Sequence, residues 1–407
     1  MNQDEKKGVV WNVLGSVANA SASVVLLLVV TRICGTETAG IFSIAFVTAQ
    51  MLMNIGNYGV RAYQVSDQFE KYNFREYEIN RYITCFIMIL SILGFIWVRG
   101  YGKEVAVVVF FVGIWKMLDS LADVYEGRLQ QKDKLELAGK SLFYRTVVGM
   151  LFFCMVLLLT DNLLWASIGA IIGSGIFLFL LACRPARKVS NIKKEVSFFH
   201  VFVMLKECFP LFISLILLAF VINIPKYAIE DYMSYDKQTY YNIIYMPAQV
   251  IYLLATFIFK PFLTHLTTMY HESVLKFKRS VLKLVVAIPI LTGMVILVAY
   301  IIGIPVLQLL YGVELEQYKT ALMIVLLGGG FNAVSSLLYY MLTIMRKQYV
   351  CMFSYIAGMF VALVASEYGV KCYGIMGAAG AYLFSMIVIS VIMLSVLIFS
   401  EREKKSR

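Results

Sequence analysis

Apolar runs of roughly 20 residues, separated by short polar or charged stretches, recur from one end of this chain to the other. They fall at about 9–31, 39–60, 82–99, 103–124, 142–160, 163–182, 208–229, 239–262, 283–303, 318–342, 349–368 and 373–399. At 1.5 Å of rise per residue, about 20 helical residues cross the roughly 30 Å hydrocarbon core of a bilayer. Each run predicts a membrane-crossing helix, and together they predict an all-α polytopic membrane protein with twelve spans. The two-residue alternation of a transmembrane barrel is absent from the runs. The longest charged interruption in the first half, "CRPARKVSNIKKEVSFFHVFVMLK" (183–206), divides the spans into six and six. This predicts two six-helix lobes, 1–190 and 191–407, the second ending in a charged tail. "TAGIFSIAFVTAQ" (38–50) and "QTYYNIIYMPAQ" (238–249) open the second and eighth spans with a similar run into Ala-Gln, where a duplicated unit would place it.

Polar residues inside the runs keep helical spacing. Asn12, Ser16, Asn19 and Ser23 lie within an arc of about 60° at 100° per residue, and Gln50, Asn54, Asn57 and Arg61 repeat that spacing in the second span. Tyr241, Tyr245, Gln249 and Tyr252 form a stripe in the eighth span; Asn332, Ser336, Tyr339, Tyr340 and Thr343 form one in the tenth. A single stripe has two readings, hydrogen-bonded glue between helices or the wall of a cavity. Four stripes on separate helices favour a shared polar cavity, in which tyrosine rings suit sugar faces.

The fourth span adds charge. Lys116, Asp119, Asp123 and Glu126 project within about 80° of one another. A charge in mid-membrane costs several kcal/mol, so this face looks into protein or water. Lys116 and Asp119 have the spacing of an intrahelical pair; the other reading is a substrate or ion-coupling path. Arg32, Glu37, Lys226 and Lys260 are further charges near or within spans. Six of the seven prolines lie in or beside spans seven to nine, which makes the second lobe the candidate bending element.

Of the 407 residues, 60% are hydrophobic and only 15% charged, against about 25% in a soluble domain. The formal charge of +11 does not point to nucleic acid, because its placement is topological. Twenty-seven of the 36 Lys and Arg fall on alternate segments that include both termini, and seven on the opposite set. By the positive-inside rule both termini are expected in the cytoplasm. Ala18-Asn19-Ala20 imitates a signal-peptide cleavage site, but the long apolar run follows it instead of preceding it, so the first segment is expected to stay as a span. The seven cysteines form no C-x-x-C pair, and His200, His265 and His271 match no zinc pattern; no metal site or cofactor is expected.

The opening "KKGVVWNVLGSVANASASVVLLLVVTRICGTETAGIFSIAFVTAQ", with a Gly-x-x-x-x-Gly turn from Gly35 to Gly40, resembles the polysaccharide flippases. These form the O-antigen or Wzx-type branch of the superfamily that also holds the MATE exporters and peptidoglycan lipid flippases. "NIGNYGVRAYQVSD" and "LYGVELEQYKTALMIVLLGGGFNAVSSLLYYMLTIMRKQ" carry the same resemblance. It implies a MATE-like fold in a bacterial cell membrane and movement of an undecaprenyl-pyrophosphate-linked oligosaccharide to the outer leaflet. Alternating access, coupling to H+ or Na+, and pathway partners such as a polymerase and glycosyltransferases come with it. Arg61 matches the arginine after the family's second span, and Arg32 ends the first; both are expected as cavity cations, with Lys116 and Lys226 added from position. Asp119, Asp123 and Glu37 are the candidate coupling carboxylates. A monomeric carrier is expected, although Gly169-x-x-x-Gly173 is a helix-packing motif. The alternatives are a MATE-type drug or cation antiporter, favoured by the acidic residues of span four, and a polymerase or ligase, disfavoured by the short outer loops.

Overall fold

The computed structural model describes residues 3–67, 70–190, 196–259, 263–345 and 347–399. Among them ten helices are long and apolar enough to cross a membrane. The chain is all-α and divides into two compact units, Met1–Ile216 and Leu217–Arg407. The division falls inside a helix, α8, whose first residues pack with the first unit.

In the first unit α1 runs Gln3–Asn57 and contains the first two predicted spans, bent at Gly35 (φ 82°, ψ 177°). That backbone region is open essentially to glycine alone, so the bend has to fall there. A left-handed Tyr58-Gly59 pair then turns the chain into the short α2 (Val60–Ser66). Next come α3 (Phe74–Arg99), α4 (Lys103–Gln131) and α5 (Leu135–Thr160). Asn73 caps α3 in a capping box: its side chain accepts from the Glu76 N–H at 3.1 Å, and the Glu76 carboxylate accepts from the Asn73 N–H at 2.8 Å. α6 (Leu163–Phe177) continues through a π turn, Leu178–Cys183, into α7 (Arg184–Lys188). α8 (Phe198–Tyr232) begins well before the predicted seventh span, so the last part of the stretch read as a charged connection, 198–206, is helix.

Glycines set how closely these helices approach. A Cβ on Gly139 of α5 would stand 2.5 Å from the Asn12 backbone nitrogen of α1, so α5 can approach the α1 backbone this closely only with glycine there. A hydrophobic cluster built on Tyr72, Phe74, Tyr77, Tyr125 and Leu129 closes one end of the unit.

In the second unit the helices are α9 (Tyr235–Phe259), α10 (Leu263–Glu272), α11 (Val274–Val298), α12 (Ile304–Tyr311), α13 (Lys319–Ile344), α14 (Gln348–Tyr373) and α15 (Ile375–Phe399). A π turn, Ala299–Gly303, joins α11 to α12. α13 is the most enclosed; its Gly328-Gly329-Gly330 run abuts Tyr382, Ala248 and Thr292 of three neighbouring helices. Ten candidate spans stand against twelve predicted because α1 counts once despite its bend, and because α9, with Asp236, Lys237, Gln238 and Asn242, is not among the ten. Lys260 and Pro261 lie outside the described residues, as do the side chains of His265 and His271.

Candidate functional site

The charged face of α4 turns inward, as the cost of exposing it to lipid requires. Lys116 Nζ lies 3.0 Å from Asp119 Oδ2, so the intrahelical pair exists. The same ammonium sits 4.5 Å from the Phe46 ring centre and 5.2 Å from that of Trp115. Asp119 is shared, because the Arg145 guanidinium of α5 pairs with its other oxygen. Arg145 also reaches Glu126 at 3.4 Å, and Ser141, one turn earlier on α5, donates to that carboxylate at 3.0 Å.

At the other end, Asp123 is held by two arginines from different helices. Arg61 of α2 donates to Oδ1 at 2.9 Å and Arg81 of α3 to Oδ2 at 2.7 Å. Arg61 further approaches Glu126 at 3.6 Å and donates to Gln130 at 3.1 Å. Arg81 donates to the Gly56 carbonyl and to Asn57 Oδ1, which ties the end of α1 to α3. Gln64 donates to the Val124 carbonyl at 3.0 Å and holds α2 against α4.

The result is one continuous chain of ion pairs, Arg81–Asp123–Arg61–Glu126–Arg145–Asp119–Lys116, with four basic and three acidic members. Pairing offsets the desolvation of most of the charges. One formal positive charge is left over when all seven groups are ionised. The chain is graded in access: the Arg61 and Asp123 side chains are 31% and 22% exposed, while those of Lys116 and Arg145 are 4% and 3%. An oxyanion arriving from outside meets Arg61 first, through charge-assisted, bidentate hydrogen bonds.

Arg61, Lys116, Asp119 and Asp123 are thus brought together as a single constellation. Arg32 and Glu37 sit at exposed positions beside the Gly35 bend, outside it. Asn12 is half-buried, Asn19 and Gln50 are exposed, and Asn54 bonds back to its own helix through the Met51 carbonyl at 3.0 Å. Two members went unforeseen. Arg81 and Arg145 count among loop cations in a topological reading of charge, yet they are 1% and 2% exposed. In the sequence each lies at the edge of an apolar run, a setting that an ordinary loop cation shares.

The second unit holds a different arrangement. Lys226 of α8 is buried, 3% exposed, and its ammonium lies 4.3 Å from the centre of the Tyr245 ring. Among the described residues no carboxylate stands within ion-pair distance of it. Tyr245 lies nearly parallel to Tyr241 and edge-on to Tyr382, with ring centres 6.2 and 5.3 Å away. Among the described residues the buried Tyr241 hydroxyl has no hydrogen-bond partner. Gln249 of the same helix is half-buried. Among the described residues no group of three His, Cys, Asp or Glu side chains could hold a metal ion.

Comparison with known proteins agrees with this architecture. Residues 6–267 match the family model described as "Polysaccharide biosynthesis protein". No curated protein sequence matches. Among solved structures, the lipid II flippase MurJ in an inward closed conformation superposes with a TM-score of 0.71 at 14% identity, over 95% of this chain and 87% of that one. A MATE transporter of Vibrio cholerae, VcmN, gives 0.66 at 14% identity over 98% of each chain. An inward-facing multidrug resistance MATE family transporter of the MOP superfamily gives 0.69 at 10% identity, over 93% of this chain and 94% of that one. At these identities the likeness establishes a MATE-like fold.

Proposed function

This chain belongs to the polysaccharide biosynthesis protein family, and on that premise we propose that it is a flippase for undecaprenyl-pyrophosphate-linked oligosaccharides. It is a multi-pass membrane transporter, not an enzyme, and its family implies a lipid-linked substrate. In the proposed cycle the sugar headgroup crosses from the cytoplasmic to the outer leaflet of a bacterial inner membrane by alternating access, for cell-surface polysaccharides such as O-antigen. Twelve passes follow if α1 crosses twice about Gly35 and α9 crosses once, leaving both termini in the cytoplasm.

The observation that supports this reading best is the seven-member charge chain of the first unit with its surplus cation. A pyrophosphate carries oxyanions that guanidinium groups bind well. Arg61 is the point of entry, because it is the most exposed cation of the charge chain and because Asp123, on releasing it, keeps Arg81. Lys226 supplies a second, separate cation in the other unit, unopposed by a carboxylate among the described residues and beside tyrosine rings that suit sugar faces. Arg32 is a further cation of the route, and Glu37, Asp119 and Asp123 are the carboxylates through which H+ or Na+ would couple.

Transport by variants reconstituted in liposomes tests the assignment. Arg61→Ala and Lys116→Met are expected to lower glycolipid transport about tenfold or more, equivalent to 1.4 kcal/mol, with membrane insertion intact. Wild-type rates in both well-inserted variants would remove these residues from the route. For coupling, Asp119→Asn is expected to blunt the response to an imposed pH gradient; an unchanged response would exclude that carboxylate.

A further inference from the structure

Two buried lysines of this chain lie against aromatic rings, and they differ in one respect. Lys116 combines its ring contacts with a carboxylate, Asp119 at 3.0 Å. Lys226 does not. Among the described residues no carboxylate stands within ion-pair distance of it, Glu230 one turn along α8 included. The partner it has is the face of the Tyr245 ring, 4.3 Å from its ammonium, and the side chain is buried. The transport reading uses Lys226 as a positive charge but gives no reason for holding that charge against a ring.

An aromatic face carries the negative part of the ring quadrupole, so it attracts a cation, and the attraction is strongest where water is excluded. The Tyr245 face is held in place without help from the lysine. Tyr241, one turn earlier on α9, lies nearly parallel to it with ring centres 6.2 Å apart, and Tyr382 of α15 stands edge-on at 5.3 Å. Tyr382 is in turn pressed against α13, where a Cβ on Gly328 would stand 2.5 Å from its ring. All three tyrosines are buried. The face therefore stays formed when the ammonium is removed, and a preformed site loses little affinity to ordering. Lys226 is a tethered occupant of that site. Its chain fills the space beside the ring, and its charge repels any second cation in an interior that screens poorly.

We propose that the Tyr245 face is a binding site for small organic ammonium ions that the chain's own Lys226 occupies, which makes Lys226 the residue that keeps such cations out of the second unit. The inference rests on the transport reading only in treating those cations as cargo to be refused. Specificity of this kind comes from an element set against the wrong ligand as much as from contacts to the right one.

Chemical complementation tests it. Lys226→Ala removes the atoms from Cγ to Nζ, and n-propylammonium, with three carbons and a nitrogen, replaces them; as a primary amine of the lysine type it is charged at neutral pH. Binding of labelled n-propylammonium to the full chain, purified in detergent, would be measured by equilibrium dialysis. Lys226→Ala is expected to bind it about tenfold or more above wild type, the order of a desolvated cation on a ring. Lys226→Arg, which keeps a tethered cation, should bind no more than wild type. Propan-1-ol, uncharged and of the same length, should not compete. Adding Tyr245→Leu to Lys226→Ala should return binding to the wild-type level. Lys226→Ser, which leaves nearly the same space, is expected to give the same order and answers the question if Lys226→Ala does not fold. Equal binding by wild type and the small variants, competition by propan-1-ol, or binding that survives Tyr245→Leu would each overturn the proposal. The readout contains no glycolipid. Glycolipid movement without complementation refutes only the ammonium site, and complementation without glycolipid movement refutes only the flippase reading.

Discussion

At Arg145 one guanidinium serves two carboxylates, Asp119 and Glu126, on a neighbouring helix inside the membrane. Removing one partner of a buried pair strands the others and typically costs about 3–5 kcal/mol. Arg145→Met is therefore expected to lower the detergent-solubilised melting temperature sharply, with partial recovery in Arg145→Met/Asp119→Asn; equal melting of wild type and single variant would show that the contact carries no stability. Outside the spans, Glu70 offers a pH test. Its carboxyl is held below its ordinary range, first by the hydrogen bond from Lys132 and then, against some opposing burial, by the nearby Arg128 charge. A depressed carboxyl contributes stability that is fully present above its unfolded value, about 4.3, and is lost as pH falls through the lower folded value. The melting difference between wild type and Glu70→Gln should be present at neutral pH and vanish in acid; a difference independent of pH would assign the effect to packing. The fourth-span acids were legible in the sequence because charge inside an apolar run has few explanations. Arg81 and Arg145 were not, because a basic residue at the edge of a run reads equally well as a loop cation until a partner helix is placed beside it.

Among the elements, glycine contacts decide which helices pair closely. Gly377→Val is expected to destabilise by about 1–3 kcal/mol, the usual range for overpacking, because the added atoms meet the Gly369 backbone. Gly94→Val, with open space around it, should change thermal unfolding far less, and equal effects would deny the close approach of α14 and α15. Helix existence was largely legible from apolar run length, and the bend at Gly35 from the Gly-x-x-x-x-Gly turn. Helix ends were harder to read. α8 starts at Phe198 because Phe198, Phe199 and Phe202 present an apolar face, but the basic residues just before them in sequence masked that face. The pairing of α14 with α15 had no sequence signal beyond scattered glycines, which are common in membrane helices.

For the whole molecule, the all-helical, MATE-like architecture follows from composition and run length, while the cargo depends on where charge is left unneutralised. The first unit keeps one cation in excess within a nearly balanced chain, and the second keeps Lys226 without a carboxylate partner among the described residues. Both features favour an anionic headgroup over a cationic drug. The most direct test is translocation of a fluorescent undecaprenyl-pyrophosphate oligosaccharide in proteoliposomes of the purified protein, scored by access to an external quencher with a cationic dye as competing cargo. Protein-dependent movement of the glycolipid that the dye does not inhibit is the predicted result. Dye transport with no glycolipid movement would contradict the account and place the protein with the drug antiporters.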